Sequence, residues 1–215
     1  MILYIVLLIP VAAISYIFGS LSTMVLASNF IFRTNMRKLG RGNDFLANFR
    51  RVYGVKGALE LLAVELVKDI IPILIGGLIL GIKGHSDAGK AFAGFCVVLG
   101  RLWPVFYRLN GSHATMPLIV AAGFMDTSLG IVVALVVIAM LYFTKYISLA
   151  TVFGAGFMAV ASLLILEDKL LIILAVLTAA AVIVKHIPAL GRIARKQEEK
   201  IAFRLDLSYK FDDRF

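Results

Sequence analysis

The most constraining feature of this sequence is the placement of its positive charges between apolar segments. Eighteen of the 22 Lys and Arg residues fall into four stretches, at residues 33–56, 101–108, 145 and 185–214. In membrane proteins, Lys and Arg accumulate in the loops that stay on the cytoplasmic side. The pattern therefore predicts that these four stretches are cytoplasmic, and that any chemistry on an anionic substrate takes place on that side.

The composition independently indicates an integral membrane protein. Apolar residues make up 61% of the 215-residue chain, and the mean hydropathy is +0.95. A soluble globular domain of this length carries far fewer apolar residues. Because each membrane-spanning helix uses about 20 residues, six or seven helices account for nearly the whole chain. We therefore expect a single all-α membrane domain over residues 1–215.

Seven apolar segments are candidate spans, and this odd number places the two termini on opposite sides of the membrane. The fourth segment has about nine strongly apolar residues, fewer than the roughly 17 of a full span, so we expect a tilted or re-entrant helix there. Together with the basic stretches, the count predicts an N-terminus outside and a C-terminus in the cytoplasm. The segments cover residues 2–28, 57–82, 91–107, 117–125, 129–143, 147–166 and 170–186.

The second apolar segment contains four ionisable residues, Glu60, Glu65, Lys68 and Asp69. Such groups are costly in hydrocarbon unless they are paired or face a wet cavity. Glu65 lies three residues before Lys68 and four before Asp69, so the three side chains share one face of a helix. Two interpretations stay open: a polar wall beneath a binding site, or a buried ion pair of Glu65 and Lys68 that locks helices together.

The basic loop at residues 30–56 is a candidate anion site. It contains seven basic residues, one acidic residue and three glycines, Gly40, Gly42 and Gly54. Glycine lets backbone N–H groups converge on an anion, and the planar Arg side chain matches a phosphate group. The loop therefore indicates either phosphate binding or simple attraction to anionic lipid headgroups.

The lone Cys96 excludes an intramolecular disulfide and a Cys-rich metal site.

Six short stretches spread along the chain form an ordered set. They are Gly19-Ser20, GRGNDFLANFRR at 40–51, ELVKD at 65–69, GRLWPVFYRLNGSHAT at 100–115, TKYISLAT at 144–151 and KHIPALGRIARKQEE at 185–199. In this order and spacing they resemble the motifs of the bacterial membrane glycerol-3-phosphate acyltransferases that use acyl-phosphate as donor. The resemblance covers the whole chain and implies four cytoplasmic motif loops, at about 30–56, 100–116, 144–151 and 185–199.

The resemblance implies an activity and a set of site residues. In that family the hydroxyl of glycerol 3-phosphate attacks the carbonyl of the acyl donor and phosphate leaves, a step of phospholipid synthesis. The candidates for holding substrate phosphate are the matching positions Arg51, Lys68, Ser148 and His186, together with Arg41 in the same loop. The matching positions that shape the loops are Gly42, Asn43, Asn48 and Gly111.

The resemblance also implies partners and a location. The expected substrates are acyl-phosphate and glycerol 3-phosphate or a similar phosphorylated acceptor, in contact with membrane lipid and without nucleic acid. We expect no cofactor and no metal site. The expected location is the bacterial inner (plasma) membrane, crossed several times, with the active face in the cytoplasm.

Several motif positions depart from the family pattern. Arg41 replaces a serine, and Phe45 replaces a glycine whose absence of a side chain allows close backbone approach to an anion. His113 replaces a lysine, and an unperturbed histidine is mostly neutral at pH 7. Two functions therefore stay open: an acyltransferase, or a catalytically silent relative whose basic cytoplasmic face binds a phospholipid or lysophospholipid headgroup or a protein partner. Arg101 and Ala189 are further departures, from a histidine and an asparagine.

Overall fold

The computed structural model describes residues 2–23, 26, 45–107, 109, 111, 113–198 and 200. Within these residues the chain forms seven α-helices and a short 3₁₀ turn at Val105–Tyr107. Each of the seven apolar segments contains one helix, so the prediction of an all-α fold is confirmed. The helices are α1 Ile2–Ser20, α2 Phe45–Gly81, α3 Ser86–Leu102, α4 Thr115–Met125, α5 Thr127–Thr144, α6 Ile147–Ile165 and α7 Lys169–Ala194.

Among the described residues, three helices are long and apolar enough to cross a membrane: α5, α6 and α7. Their outer faces carry large apolar side chains, such as Phe143 and Leu164, which are 78% and 84% exposed. In a soluble protein such a surface would favour aggregation, whereas in a bilayer it contacts lipid tails. The helices therefore form the body of a membrane protein.

Helix α3 lies at the centre of the described bundle, because it packs against α1, α2, α4 and α7. Small residues make these close contacts possible. A Cβ atom on Gly100 would lie 2.3 Å from the carbonyl oxygen of Tyr16, and one on Gly19 would lie 2.2 Å from that of Val97. Glycines at such positions let two membrane helices bring their backbones into contact. They fix the end of α1 against the end of α3.

Helix α4 is short, as expected from the fourth apolar segment. Its 11 residues give a length of about 16 Å, roughly half the thickness of a bilayer's hydrocarbon core. Helix α5 begins almost immediately, because the carboxylate of Asp126 accepts hydrogen bonds from the N–H groups of Ser128 (2.7 Å) and Leu129 (3.1 Å). This side chain satisfies free N–H groups of the first turn of α5. Helices α4 and α5 thus form a tight antiparallel pair.

Helices α2, α3 and α7 each extend at least five residues beyond their apolar segments, α3 by beginning at Ser86. Helix α2 starts 12 residues before its predicted span and bends at Gly54, whose φ of 69° lies in the left-handed region that favours glycine. Helix α7 continues past residue 186 to Ala194, and so carries basic residues at its end. Of the basic loop at 30–56, the positions of Arg41, Gly42 and Asn43 lie outside the described residues. The side chains of Asn48 and Arg51 do so as well.

Candidate functional site

A cluster of polar side chains surrounds His113, where α3 ends, α4 and α6 begin and α7 ends. The Nδ1 atom of His113 lies 3.4 Å from Nε2 of His186 and 3.5 Å from Oγ of Ser148. The two imidazole rings are stacked, with centroids 5.6 Å apart and an angle of 27° between their planes. Three motifs that are far apart in the sequence therefore meet at one point.

The connection between α3 and α4 folds back onto the end of α3 and so positions His113. A Cβ atom on Gly111 would lie only 2.1 Å from the carbonyl oxygen of Arg101 and 2.4 Å from that of Leu102. Only glycine permits this backbone contact. The Nε atom of Arg101 also donates to the carbonyl oxygen of His113 at 3.4 Å. The position of His113 is thus fixed by the close contact of Gly111, two residues before it, and by the hydrogen bond to its own carbonyl oxygen.

The same connection is held by the first and last helices. The hydroxyl of Tyr16 in α1 donates to the carbonyl oxygen of Trp103 at 2.5 Å. From α7, the Nζ atom of Lys185 donates to the carbonyl oxygen of Leu109 at 3.1 Å, and it lies 5.6 Å from the centre of the Trp103 ring. A cation at this distance is attracted to the face of an indole ring. These contacts tie Trp103 and Leu109 to α1 and α7.

Glu198, just beyond α7, completes the cluster. Its carboxylate accepts a hydrogen bond from Oγ of Ser148 at 2.9 Å and from Nε of Arg192 at 2.7 Å. Burial raises the pKa of Glu198, but the hydrogen bonds from Arg192 and Ser148, together with electrostatic attraction to Arg192 and His113, bring it below the ordinary value. The carboxylate is therefore ionised at neutral pH. It holds the end of α7 against the start of α6.

The hydrogen-bond partners also fix the order of protons in the histidine pair. Nδ1 of His186 lies 2.8 Å from the carbonyl oxygen of Val182, which only accepts, so Nδ1 carries a hydrogen. In the neutral ring Nε2 of His186 is then an acceptor, and Nδ1 of His113 must be the donor. The unprotonated nitrogen of a neutral His113 is consequently Nε2, on the side of the ring away from His186.

The pKa of His113 is lowered to about 4. Burial is the largest cause, followed by the neighbouring His186; Glu198 opposes the shift, and the positive charges of Arg101 and Arg192 add to it. Each of the lowering effects disfavours a charged imidazole. His113 is therefore neutral at physiological pH in the structure as it stands.

Beside this cluster lies a layer of buried charges. Nη2 of Arg101 is 2.5 Å from Oε1 of Glu65, and Nζ of Lys68 is 3.1 Å from Oδ1 of Asp69. All four side chains are at most 6% exposed. Nζ of Lys68 also donates to the carbonyl oxygen of Leu21 at 3.3 Å. Of the two interpretations left open, the buried ion pair is present, but its cation is not Lys68: the guanidinium that neutralises Glu65 comes from α3.

The structure brings several sequence-predicted site residues together. Ser148 and His186 share His113 as a neighbour, and Gly111 makes the turn that places it. Lys68 belongs to the charged layer, which Arg101 joins to the histidine pair through its bond to the backbone of His113. His113 and Arg101 are two residues of the site that were not predicted from the sequence. The feature of the sequence that could have identified them is that both lie inside a motif at positions where this chain differs from the family pattern.

Comparisons with known proteins show which family the chain resembles. The sequence profile of the glycerol-3-phosphate acyltransferase family matches residues 9–196. A glycerol-3-phosphate acyltransferase of Streptococcus pyogenes serotype M5 is 30% identical over 204 residues, with 91% of this chain and 93% of that protein covered. A glycerol-3-phosphate acyltransferase of Thermoanaerobacter pseudethanolicus is 24% identical over 196 residues, with 91% and 96% covered.

Solved structures with the same fold include two crystal structures of one protein. They are those of PlsY (YgiH), an integral membrane glycerol 3-phosphate acyltransferase, in its glycerol 3-phosphate form and its lysophosphatidic acid form. Each superposes with a TM-score of 0.73 at 19% sequence identity. The matches cover 91% of this chain and 96% and 95% of the respective crystal chains. The likeness extends over almost the full helical bundle.

Proposed function

This chain belongs to the glycerol-3-phosphate acyltransferase family, and we propose that it moves an acyl chain from acyl-phosphate to glycerol 3-phosphate or a related phosphorylated acceptor. The observation that carries the proposal is the meeting of Ser148, His186 and Glu198 around His113 at one end of the bundle. Family membership and this convergence both favour transfer over the alternative of a silent headgroup-binding protein.

The proposed reaction needs two phosphate groups to be held close together. The hydroxyl oxygen of the acceptor forms a bond to the acyl carbonyl carbon, the bond from that carbon to the phosphate oxygen breaks, and inorganic phosphate leaves. Alignment of the two substrates and neutralisation of the phosphate charge accelerate such a step. The residues proposed to provide this are Arg41, Arg51, Lys68, Ser148 and His186, in loops shaped by Gly42, Asn43, Asn48 and Gly111.

Lys68 has a particular requirement in this proposal. Its ammonium group contacts the carboxylate of Asp69 and the carbonyl oxygen of Leu21. Among the described residues, these contacts use two of the three N–H donors of the ammonium, so a phosphate must reach the third.

We place the site on the cytoplasmic face of a bacterial inner membrane, in a single domain spanning residues 1–215. The support is the position of the basic residues relative to the cluster. Lys145 follows the end of α5, and Lys185 and Arg192 lie in the last part of α7, all close in sequence to site residues. Basic residues of this kind remain in the cytoplasm. The N-terminus is then outside and the C-terminus inside.

An acyl-transfer assay on the purified protein tests the proposed function. Palmitoyl phosphate is incubated with glycerol 3-phosphate or with other hydroxyl acceptors, and the acylated product is measured by mass spectrometry. We expect acylation of glycerol 3-phosphate or of another phosphorylated acceptor, and none without donor. A folded protein that acylates no acceptor yet binds lysophospholipid would support the silent alternative instead.

A pair of histidine variants tests the location of the site. A hydrogen bond to a charged group contributes about 1.5–3 kcal/mol, so His186→Gln is expected to lower kcat/KM by roughly ten- to a hundred-fold at about 1.4 kcal/mol per decade. The matched control is His85→Gln, because His85 precedes the start of α3, at the opposite end of that helix from Arg101. It should keep the activity of the unmodified protein. Equal activity of both variants would exclude His186 from the site.

A further inference from the structure

We propose that His113 binds the phosphate group of a substrate in a proton-coupled manner: its Nε2 atom is unprotonated before the phosphate binds and takes up a proton from solvent as it binds. The inference rests on the proposed function, because it takes the ligand to be a phosphorylated substrate. It goes beyond that function by making substrate affinity depend on the protonation of one histidine.

The geometry of the histidine pair singles out the nitrogen involved. The hydrogen bond from His186 to Val182 and the contact between the two rings leave Nε2 as the basic atom of His113. Once Nε2 gains a proton, it becomes a donor to a phosphate oxygen. Nδ1 of the charged ring still donates to His186, and a hydrogen bond with a charged donor is stronger than one between neutral groups. The contact between the rings is therefore kept in the charged form, although burial and the neighbouring positive groups oppose that charge until an anion is present.

Burial is the main reason why His113 is neutral, and the charged groups around it do not offset the effect of burial. The groups that face it are Arg101 from α3, Ser148 from α6, His186 and Arg192 from α7, and Glu198 beyond α7. Each guanidinium already has a carboxylate partner, since Arg101 pairs with Glu65 and Arg192 with Glu198. Among the described groups the positive charges are therefore balanced.

A phosphate that enters this balanced environment brings uncompensated negative charge. An opposite charge within a few ångströms favours the charged form of a histidine. The phosphate should therefore raise the pKa of His113 above its value of about 4 in the protein without ligand. Binding and protonation are then linked. A lysine at the same position would bring a permanent charge, whereas His113 supplies its charge only when the anion is present.

The linkage predicts how affinity changes with pH. Below about pH 4 the ring is protonated with or without ligand, and pH has no effect through it. Between that pH and the higher pKa of the bound state, only the complex holds the proton. The association constant should then fall by up to about tenfold for each pH unit of increase. Above the pKa of the bound state the dependence ends.

Calorimetric titration of the full-length protein tests this without turnover. Glycerol 3-phosphate is titrated in two buffers that differ in ionisation enthalpy, and the difference in measured heat gives the number of protons taken up. Phosphate monoesters themselves titrate near pH 6, so the comparison is with His113→Lys, in which the substrate titrates equally but the side chain keeps its charge. We expect the unmodified protein to take up as much as one proton more.

A second set of titrations identifies the phosphate. Palmitoyl phosphate is titrated alone, without acceptor, in the same pair of buffers. Extra proton uptake only with glycerol 3-phosphate assigns His113 to the acceptor, and extra uptake only with palmitoyl phosphate assigns it to the donor. Equal uptake by the unmodified protein and His113→Lys with both ligands would overturn the inference, even if the protein is an active acyltransferase.

Two further variants keep the test decisive. His113→Gln removes the titrating ring without adding charge. This variant should bind the same phosphate more weakly and without the extra proton. It also serves as the comparison if His113→Lys does not fold. His85→Gln should take up protons like the unmodified protein. Extra proton uptake in a protein that shows no acyl transfer would support this inference while contradicting the proposed function.

Discussion

Glu65 of α2 and Arg101 of α3 form an ion pair with 2.5 Å between the carboxylate and the guanidinium, and both side chains are almost fully buried. The same guanidinium donates to the backbone of His113. A buried carboxylate is therefore linked through one arginine to the histidine pair. The ion pair of Glu65 and Arg101 therefore supports the site and also joins α2 to α3.

Breaking this pair should destabilise the protein. Arg101→Met leaves the Glu65 carboxylate buried without its cation, and such a change costs about 3–5 kcal/mol. The double change Glu65→Leu with Arg101→Met removes both charges and should recover most of that free energy of unfolding. Denaturant unfolding in detergent micelles measures both. A double variant as unstable as Arg101→Met alone would contradict the assignment.

The exposed pair of Asp87 and Lys90 provides the control for this experiment. It has a comparable distance of 2.9 Å, but the two side chains are 76% and 30% exposed. Surface pairs contribute only about 0–1 kcal/mol. Lys90→Met should therefore change the free energy of unfolding very little.

Gly111→Ala should disturb the site through its backbone. The added methyl group would overlap the carbonyl oxygens of Arg101 and Leu102, and the turn that carries His113 must then move. We expect lower acyl transfer together with a loss of about 1–3 kcal/mol of stability. The control is Gly156→Ala in α6, where no atom lies within 4 Å of the new methyl group. It should be neutral or slightly stabilising, and a harmless Gly111→Ala would show that the turn is not fixed by this contact.

Glu198 should make the attachment of the C-terminal segment depend on pH. Its pKa in the folded protein is lower than the ordinary value of 4.5, so its stabilising effect is complete above that value and is lost as pH falls through the folded pKa. Because Arg192 is half exposed, the effect is modest, about 1–2 kcal/mol. Amide hydrogen exchange of residues 195–200, corrected for the intrinsic effect of pH, should accelerate below pH 4.5.

The substitution Glu198→Gln should reproduce this acceleration at neutral pH. Glu167→Gln is a suitable control, since Glu167 is exposed and lies in the connection between α6 and α7, at the other end of both helices. It should leave exchange at residues 195–200 unchanged. Slow exchange in Glu198→Gln would mean that other contacts hold the segment.

Thiol labelling of intact cells tests the orientation. With Cys96 replaced by Ala, a cysteine in place of exposed Glu167 should react with an impermeant reagent added outside. A cysteine in place of Arg195, at the end of α7, should react only after the cells are opened. This follows from the cytoplasmic preference of basic loops. The opposite labelling would place the site on the outer face.

The helices could be predicted from the sequence because their signal is local. Apolar runs of sufficient length set their positions, and the expected spans 129–143 and 147–166 differ by at most two residues at either end from α5 and α6. The extension of α7 to Ala194 could not be read from hydropathy, because its last turns contain Lys185 and Arg192 and leave the apolar run. The bend at Gly54 could not be predicted either, because it depends on a positive φ that the amino-acid composition does not reveal.

The partners of the charged residues could not be predicted, because they come from distant parts of the chain. Spacing along α2 suggested that Glu65 pairs with Lys68, whereas the arginine that neutralises it is 36 residues away. His113 looked like the loss of a charged ligand. Its importance emerges only when α6 and α7 bring Ser148 and His186 beside it, across 35 and 73 residues.

The attachment of Trp103 and Leu109 to both Tyr16 and Lys185 has a consequence for biosynthesis. Lys185 leaves the ribosome 76 residues after Leu109, and Trp103 follows Tyr16 by 87. Contacts of such sequence separation form late, after the intervening helices have been inserted. A nascent chain with six helices in the membrane therefore has its first helix in place but not its site. Insertion of α7 is the event that completes the site, because α7 supplies both Lys185 and His186.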